Sequence, residues 1–310
     1  METKACYALG LDIGGSSIKW ALVSHSARDK PRVIETGIRP IKESRMPEDV
    51  ITELADITRT TRHAHGVLTS IGVGIPGMFE AATGIPTLLP NFPSAWIGYH
   101  FRSAVTRRLE QPIVLVNDAK AFSIAESVVG AAVDQSLVVC VVLGTGVGGG
   151  VVQNGALVTG KGSAGELGHL TVEMDGPPCG CGNNGCVESF AGAAAISSFA
   201  GQPSAHDAFQ AAQRGDSQAQ AAIDRAIRAI GAGLANVFVT LAPNAFVIGG
   251  GLAGAGSQLI EPLTAEIRRR VKVAPESHIT VLAATLGRQA GAIGAALMSI
   301  EASAHRTGRD

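Results

Sequence analysis

The sequence predicts an α/β protein built from two similar domains. Apolar, strand-like runs alternate along the chain with segments in which apolar residues recur at helical spacing. Two glycine-rich hairpins, at 14–17 and 144–150, each follow a buried strand and lie near the start of two similar blocks. A length of 310 residues also suits two domains. The repeated order of parts indicates a duplicated architecture with a ligand between the halves.

Composition excludes several classes of partner. The formal net charge of −1 gives no electrostatic basis for binding nucleic acid or an anionic membrane surface. No apolar run approaches the roughly 20 residues that a membrane helix needs. The first residues pass directly into a strand-like run without the pattern of a signal peptide. Five cysteines are an odd number for a disulfide framework. We therefore expect a cytoplasmic protein with reduced thiols.

The first glycine-rich hairpin has the composition of a phosphate-binding turn. It joins a predicted strand over Tyr7–Ile13 to a second strand over Ile18–Val23. Glycines in the turn allow backbone N–H groups to approach phosphate, and its two serines add hydroxyl donors. Asp12, at the strand end, is placed to reach Mg²⁺ through water. An ordinary hairpin turn is the alternative, and it would be favoured if this motif stood alone.

The next segments alternate in the same way. A helix is predicted over 48–62, a strand over 70–75, an irregular stretch over 88–96 and a short helix over 103–109. Asn91, in the irregular stretch, is either a turn former, which is the default, or a ligand for a sugar hydroxyl.

Asp118 follows a predicted strand over 113–116 and precedes a helix. An acid at such a junction is most often a helix cap. The functional alternative is a general base, because open α/β sheets hold ligands at the carboxyl ends of their strands. The helix dipole predicts that this carboxylate is ionised at pH 7.

The second hairpin, at 144–150, contains five glycines in seven residues, more than a turn requires. The excess indicates that phosphates approach the backbone there, with Thr145 as a hydroxyl donor. Helices are predicted over 189–200 and over 217–241, the latter as one helix or two. A strand over 245–248 then opens a third glycine cluster at a strand-to-helix turn, a favourable place for a nucleotide. The remaining elements are a helix over 258–271, a strand over 279–283, a closing helix over 288–300 and a frayed tail from 301.

A loop between 166 and 188 contains a candidate metal centre. Three thiolates and one imidazole suit a closed tetrahedral zinc site, and they are supplied by His169, Cys179, Cys181 and Cys186. The alternative is a loop of free cysteines held by turn chemistry. Glu166 and Glu188 flank the cluster and are not needed as ligands. We therefore predict that zinc fixes the loop so that Glu166, His169 and Glu188 present a hydrogen-bonding wall to a sugar.

Seven motifs occur in the chain in a fixed order: LDIGGSSIKWALV, IGVGIPG, Asn-Asp-Ala at 117–119, LGTGVGGGVVQNG, AGELGH, CGCGNNGCVE and VIGGGLAGAG. This series resembles the ROK family of bacterial sugar kinases, within the actin-like ATPase superfamily, from near residue 8 to near residue 298. Two positions depart from the family pattern. Ser16 stands where Thr is usual, and Lys120 stands where Asn is frequent. A cation at 120 either depresses the pKa of Asp118 further or faces solvent.

The resemblance implies an actin-like ATPase (ribonuclease H-like) fold with two α/β domains around a central cleft. The small domain would comprise residues 1–117, with a C-terminal helix over 288–303 packing back on it. The larger domain would comprise residues 118–287 and contain the zinc loop and the nucleotide site. The family also implies a homodimer.

The implied activity is phosphorylation of the 6-hydroxyl of a hexose with ATP and Mg²⁺. Glucose is the first choice, and N-acetylglucosamine, N-acetylmannosamine, mannose and fructose are alternatives. Asp118 would be the base and would also contact the sugar, together with Gly77, Asn91, Asn117, Glu166, His169 and Glu188. The phosphates and magnesium would lie against Asp12, Gly14, Gly15, Ser16, Ser17, Lys19, Gly144, Thr145 and Gly146, with Gly250 and Gly251 near the adenosine.

Two other functions compete with this one. Some relatives are sugar-responsive repressors, which carry a helix-turn-helix ahead of the first strand. Few residues precede the strand here, so we expect no such element. A non-catalytic sugar-binding module is disfavoured by the presence of Asp118 and all three glycine clusters.

Overall fold

The computed structural model describes residues 6–26, 29–89 and 91–307. The strands and helices are, in chain order, β1 (Cys6–Ile13), β2 (Ser17–His25), β3 (Arg32–Pro40), α1 (Pro47–His65), β4 (Leu68–Ile75), β5 (Met78–Phe79), β6 (Pro86–Leu88), α2 (Phe101–Leu109), β7 (Val114–Asn117), α3 (Asp118–Val128), β8 (Leu137–Leu143), β9 (Val147–Gln153), β10 (Ala156–Leu157), α4 (Glu188–Ala191), α5 (Ala193–Ala200), α6 (Ala205–Gln213), α7 (Ser217–Leu241), β11 (Ala245–Gly249), α8 (Ser257–Arg270), β12 (Val281–Ala283) and α9 (Ala290–Thr307). Within these residues no helix combines the length and the apolar character needed to cross a membrane.

The chain divides into two compact units. The first comprises Met1–Val129 and Arg288–Asp310, and the second comprises Gly130–Gly287. The boundary proposed from the sequence, after residue 117, would assign α3 to the second domain, whereas the packing of α3 on α9 assigns it to the first unit.

The first unit is built on a five-stranded sheet with the order β3-β2-β1-β4-β7. β1 and β2 form an antiparallel hairpin, and β4 and β7 continue the sheet in parallel. Side chains of a strand alternate between faces. Leu9 and Leu11 of β1 therefore join the core formed with α1 and α2. The intervening Gly10 lies against the backbone of α9 at Ala292, where a Cβ would not fit.

The second unit contains a sheet with the order β10-β9-β8-β11-β12. Its hairpin and parallel strands follow the same sequence of connections as those of the first unit. The main core of this unit lies between the sheet and helices α5–α8. The two sheets share one strand order, as the duplicated pattern of the sequence predicts.

Some elements differ from the sequence-based expectation. β3 was not predicted, because nearly all of its residues are exposed and no clear apolar alternation results. α6, whose N-cap is Ser204, was also missed. Residues 217–241, predicted as one helix or two, form one helix, in which Gly231 lies against the side chain of Glu266 from α8. The closing helix continues past the predicted frayed point to Thr307.

Candidate active site and metal centre

The first unit buries an acidic group at the end of β1. Asp12 is 8% exposed and lies on the sheet face that packs against α9. Its Oδ2 is 3.3 Å from Nζ of Lys19 in the adjacent strand β2. Burial raises the pKa of Asp12, and the nearby Lys19 ammonium opposes that rise. The carboxylate of Asp12 is thus poorly solvated and has the Lys19 ammonium beside it.

Asp118 is the first residue of α3. The N-cap is Asn117, whose side-chain oxygen accepts hydrogen bonds from the backbone N–H groups of Ala119 and Lys120. The amide nitrogen of Asn117 donates to the carbonyl of Gly77 at 3.0 Å. The interpretation of Asp118 as the cap is therefore wrong. Because Asn117 fills that role, the half-buried carboxylate of Asp118 remains for chemistry.

The acidity of Asp118 also differs from expectation. Burial raises the pKa of Asp118 to about 6, and the negative charge of Asp12 adds to the rise. A 2.8 Å hydrogen bond from the N–H of Ala119 and the charge of Lys19 act in the opposite direction without overcoming it. The helix dipole predicted a lowered pKa for Asp118, whereas its pKa is raised, because desolvation exceeds the effect of the helix N-terminus. A pKa of about 6 still leaves the carboxylate mainly ionised at pH 7.

The turn between β1 and β2 is open to solvent at its tip. The N–H of Gly14 donates to the carbonyl of Ser17 at 2.9 Å and closes the turn. Gly15 and Ser16 are exposed, and no atom lies within 4 Å of the position that a Cβ of Gly15 would take. This turn therefore leaves room for a large anion at its exposed tip.

The metal-ligand cluster of the second unit has the dimensions of a zinc site. The ligand atoms of His169, Cys179, Cys181 and Cys186 all lie within 4.8 Å of one another. The Sγ atoms of Cys181 and Cys186 are 3.7 Å apart, and Nδ1 of His169 is 3.7 Å from Sγ of Cys179. Tetrahedral zinc with Zn–S bonds of 2.3 Å requires sulfur atoms about 3.8 Å apart. The donor set and its spacing fit the ion.

Glu188 connects the metal loop to the second glycine-rich hairpin. Its Oε2 accepts a 2.9 Å hydrogen bond from the N–H of Val147, and its Oε1 is 3.9 Å from Sγ of Cys179. The same carboxylate occupies the space that a Cβ at Gly146 would need. Glycine is therefore required at 146 by the close approach of Glu188.

Four further candidate residues, Glu166, His169, Gly250 and Asn91, lie between the strands and α-helices of the two units. Glu166 and His169 are exposed and are joined by a hydrogen bond from the His169 N–H to the Glu166 carbonyl at 3.1 Å. Gly250, at φ +89°, follows β11 and lies against the backbone of Leu143. Asn91 adopts the left-handed conformation at φ +66°, and its carbonyl accepts from Nη1 of Arg45 at 2.7 Å. This geometry fits the turn-forming role, and a contact with sugar stays a prediction.

The candidates fall into two groups by unit. The first unit contains Asp12, Gly14, Gly15, Ser16, Ser17, Lys19, Gly77, Asn91, Asn117 and Asp118. The second contains Gly144, Thr145, Gly146, Glu166, His169, Cys179, Cys181, Cys186, Glu188, Gly250 and Gly251. Gly291, the residue of α9 that lies against the carboxylate of Asp12, was not predicted from the sequence. The two closely spaced glycines of the closing helix, at 291 and 294, were the signal in the sequence that could have indicated a close approach there.

Comparisons with known proteins find similarity over nearly the whole chain. The ROK family model matches residues 8–302. A glucokinase of Thermotoga maritima is 33% identical, with 93% of this chain and 95% of the relative covered. A xylose repressor of Bacillus spizizenii is 28% identical over 96% of this chain and 78% of the repressor.

Solved structures show the same fold. The ROK hexokinase of Thermus thermophilus superimposes with a TM-score of 0.86 at 31% identity, covering 96% of this chain and 99% of that one. A ROK glucokinase of Streptomyces griseus, in complex with glucose and AMPPNP, gives a TM-score of 0.76 at 28% identity, with 95% and 99% covered. The predicted actin-like ATPase fold is confirmed. Because the family model spans nearly the whole chain, this protein is a member of the ROK family.

Proposed function

We propose that this protein is an ATP-dependent kinase that phosphorylates the 6-hydroxyl of a hexose, with glucose as the preferred substrate. The observation that supports it most directly is the carboxylate of Asp118, half-buried at a strand-to-helix junction with a pKa near 6. The glucokinase relative and the hexokinase fold support the same reaction. The glucose and AMPPNP bound by the Streptomyces griseus glucokinase support the choice of substrates.

In this proposal Asp118 accepts the proton of the sugar hydroxyl as the phosphoryl group is transferred. The transition state of phosphoryl transfer is loose, so positioning and charge neutralisation dominate. A base is most effective when its pKa lies near the operating pH. The raised pKa of Asp118 therefore makes it a better base than an ordinary surface aspartate.

In this proposal the other site residues bind and orient the sugar, the nucleotide and the metal ions. Asn117, fixed by its hydrogen bond to Gly77, would contact the sugar together with Glu166, His169, Glu188 and Asn91. The two glycine-rich hairpins would receive phosphate oxygens, with Gly250 and Gly251 near the adenosine. Mg²⁺, when bound, would neutralise charge on the phosphates, and Asp12 is the carboxylate proposed to hold it through water. Zinc would be structural and would keep His169 and Glu188 in place.

The pH dependence of the reaction follows from the ionisation of Asp118. Only the carboxylate form can accept a proton, and its pKa is about 6. We expect kcat/KM at saturating Mg²⁺ to rise about tenfold per pH unit below pH 6 and to level off above pH 7. Initial rates between pH 4.5 and 8.5 test this expectation. A profile that is flat from pH 5 upwards would contradict it.

Substrate identity is tested by comparing kcat/KM for glucose, mannose, fructose, N-acetylglucosamine and N-acetylmannosamine in an ATP-consumption assay. We expect glucose to rank first. If this protein instead acts as a repressor, like the xylose repressor of Bacillus spizizenii, we expect it to bind a sugar without consuming ATP. A homodimer in the cytoplasm is part of the same proposal, and light scattering of the purified protein tests the dimer.

A further inference from the structure

The carboxylate of Asp12 lies beside two positions without a side chain. A Cβ at Gly291, in α9, would lie 2.8 Å from both Cγ and Oδ2 of Asp12 and 3.1 Å from Oδ1. A Cβ at Gly74, in β4, would lie 3.3 Å from Oδ1. The two distances of 2.8 Å are too short for non-bonded atoms, whereas those of 3.1 and 3.3 Å are only tight. An alanine at 291 would therefore displace the carboxylate.

The site that these two glycines leave to the carboxylate of Asp12 is energetically unfavourable for an anion. Asp12 is 8% exposed, and the ion pair with Lys19 at 3.3 Å is its charged contact. A buried carboxylate destabilises a fold unless its charge is compensated. Carboxylate oxygens are also preferred ligands of hard divalent cations, directly or through water. Lys19 supplies a monovalent counter-charge at Oδ2 of Asp12.

We propose that Gly291 is a positioning residue, whose missing side chain holds Asp12 where it serves a divalent cation, with Lys19 as the counter-ion when no cation is bound. This inference rests on the proposed function, because the cation accompanies ATP in that reaction. Gly291 itself touches neither nucleotide nor sugar in the proposal. It acts through Asp12 alone, so its effect must disappear when the carboxylate of Asp12 is removed.

Cation binding gives the first test. Mn²⁺ is titrated into the 310-residue protein with AMPPNP, and its binding is followed by electron paramagnetic resonance, a readout that requires no turnover. We expect Gly291→Ala to raise the apparent Kd for Mn²⁺ about tenfold and to leave the Kd for glucose within twofold. Ser303→Ala, about three turns further along α9, is the control and is expected to bind Mn²⁺ like the parent. Equal Mn²⁺ affinity in Gly291→Ala and the parent overturns the inference.

A double-mutant cycle on stability gives the second test. Gly291→Ala is introduced both into the parent and into Asp12→Ala, and Tm is measured for all four proteins. In the parent the substitution should lower Tm through the clash. In Asp12→Ala it should raise Tm, because alanine favours a helix more than glycine does. The same change in both backgrounds overturns the inference, as does failure of the double variant to fold where Asp12→Ala alone folds.

The two proposals fail in distinguishable ways. One outcome is a parent protein that fails to consume ATP with any of the hexoses, yet binds Mn²⁺ with an affinity that depends on Asp12 and Gly291. That outcome contradicts the proposed reaction and supports the role of Gly291. A parent that phosphorylates glucose, with Mn²⁺ affinity unaffected by Gly291→Ala, contradicts the role of Gly291 alone.

Discussion

Asp118→Asn should lower kcat by about 10²–10⁴-fold, the usual contribution of a positioned general base. Asparagine preserves the size of the side chain but cannot accept the proton of the sugar hydroxyl. The Kd for glucose should remain within about threefold, because Asn117 and the proposed hydroxyl-binding residues are untouched. Stopped or coupled assays of ADP formation, together with calorimetric titration of glucose, measure the two quantities. A kcat within threefold of the parent would remove Asp118 from the mechanism.

Stability provides a control for that variant. The pKa of Asp118 is raised in the folded protein, so the native state binds more protons than the unfolded chain between about pH 4 and pH 6. The free energy of unfolding therefore falls as pH rises through that window and stays lower above it. Asparagine does not ionise, so Asp118→Asn should be more stable than the parent at pH 8, on the order of 1–2 kcal/mol after allowance for solvent screening. Lower activity with higher stability would separate a chemical role from misfolding.

Removal of zinc should lower the Tm of the protein by about 10 °C. Metal that binds only the folded state stabilises it by about 4 kcal/mol when free metal is 1,000 times its Kd. For a unit of 150–250 residues each kcal/mol shifts Tm by about 2–4 °C. Differential scanning calorimetry before and after treatment with a chelator measures the change, and elemental analysis should give one zinc per chain. Active protein without zinc would refute the metal centre.

Matched cysteine variants locate the effect of the metal. Cys181→Ser removes one ligand from the exposed side of the cluster and should abolish zinc retention and lower Tm as the chelator does. Cys6→Ser changes a thiol in β1 of the other unit, outside the cluster. It should leave the zinc content at one. Equal loss of zinc from both variants would indicate that the metal is not held by the predicted ligands.

The features that depend on local sequence pattern could be predicted from the sequence. The glycine hairpins and the buried strands before them follow from short-range periodicity, and the metal cluster follows from ligand spacing. The pKa of Asp118 did not follow, because desolvation depends on how α3 packs and on the charge of Asp12, more than 100 residues away. The missed strand β3 lacks periodicity because it is an exposed edge. Gly291 was missed because its role is visible only where α9 meets Asp12.

The helix that borders Asp12 belongs to the first unit but is encoded after the whole of the second. During translation, β1 and β4 emerge from the ribosome early, yet the backbone that covers Gly10 and Gly72 is made only after the whole of the second unit. The second unit is continuous in sequence and has no such delay. The two units should therefore complete their folding in the reverse of the order in which their synthesis begins. The second unit should fold first, and the first unit should be completed last.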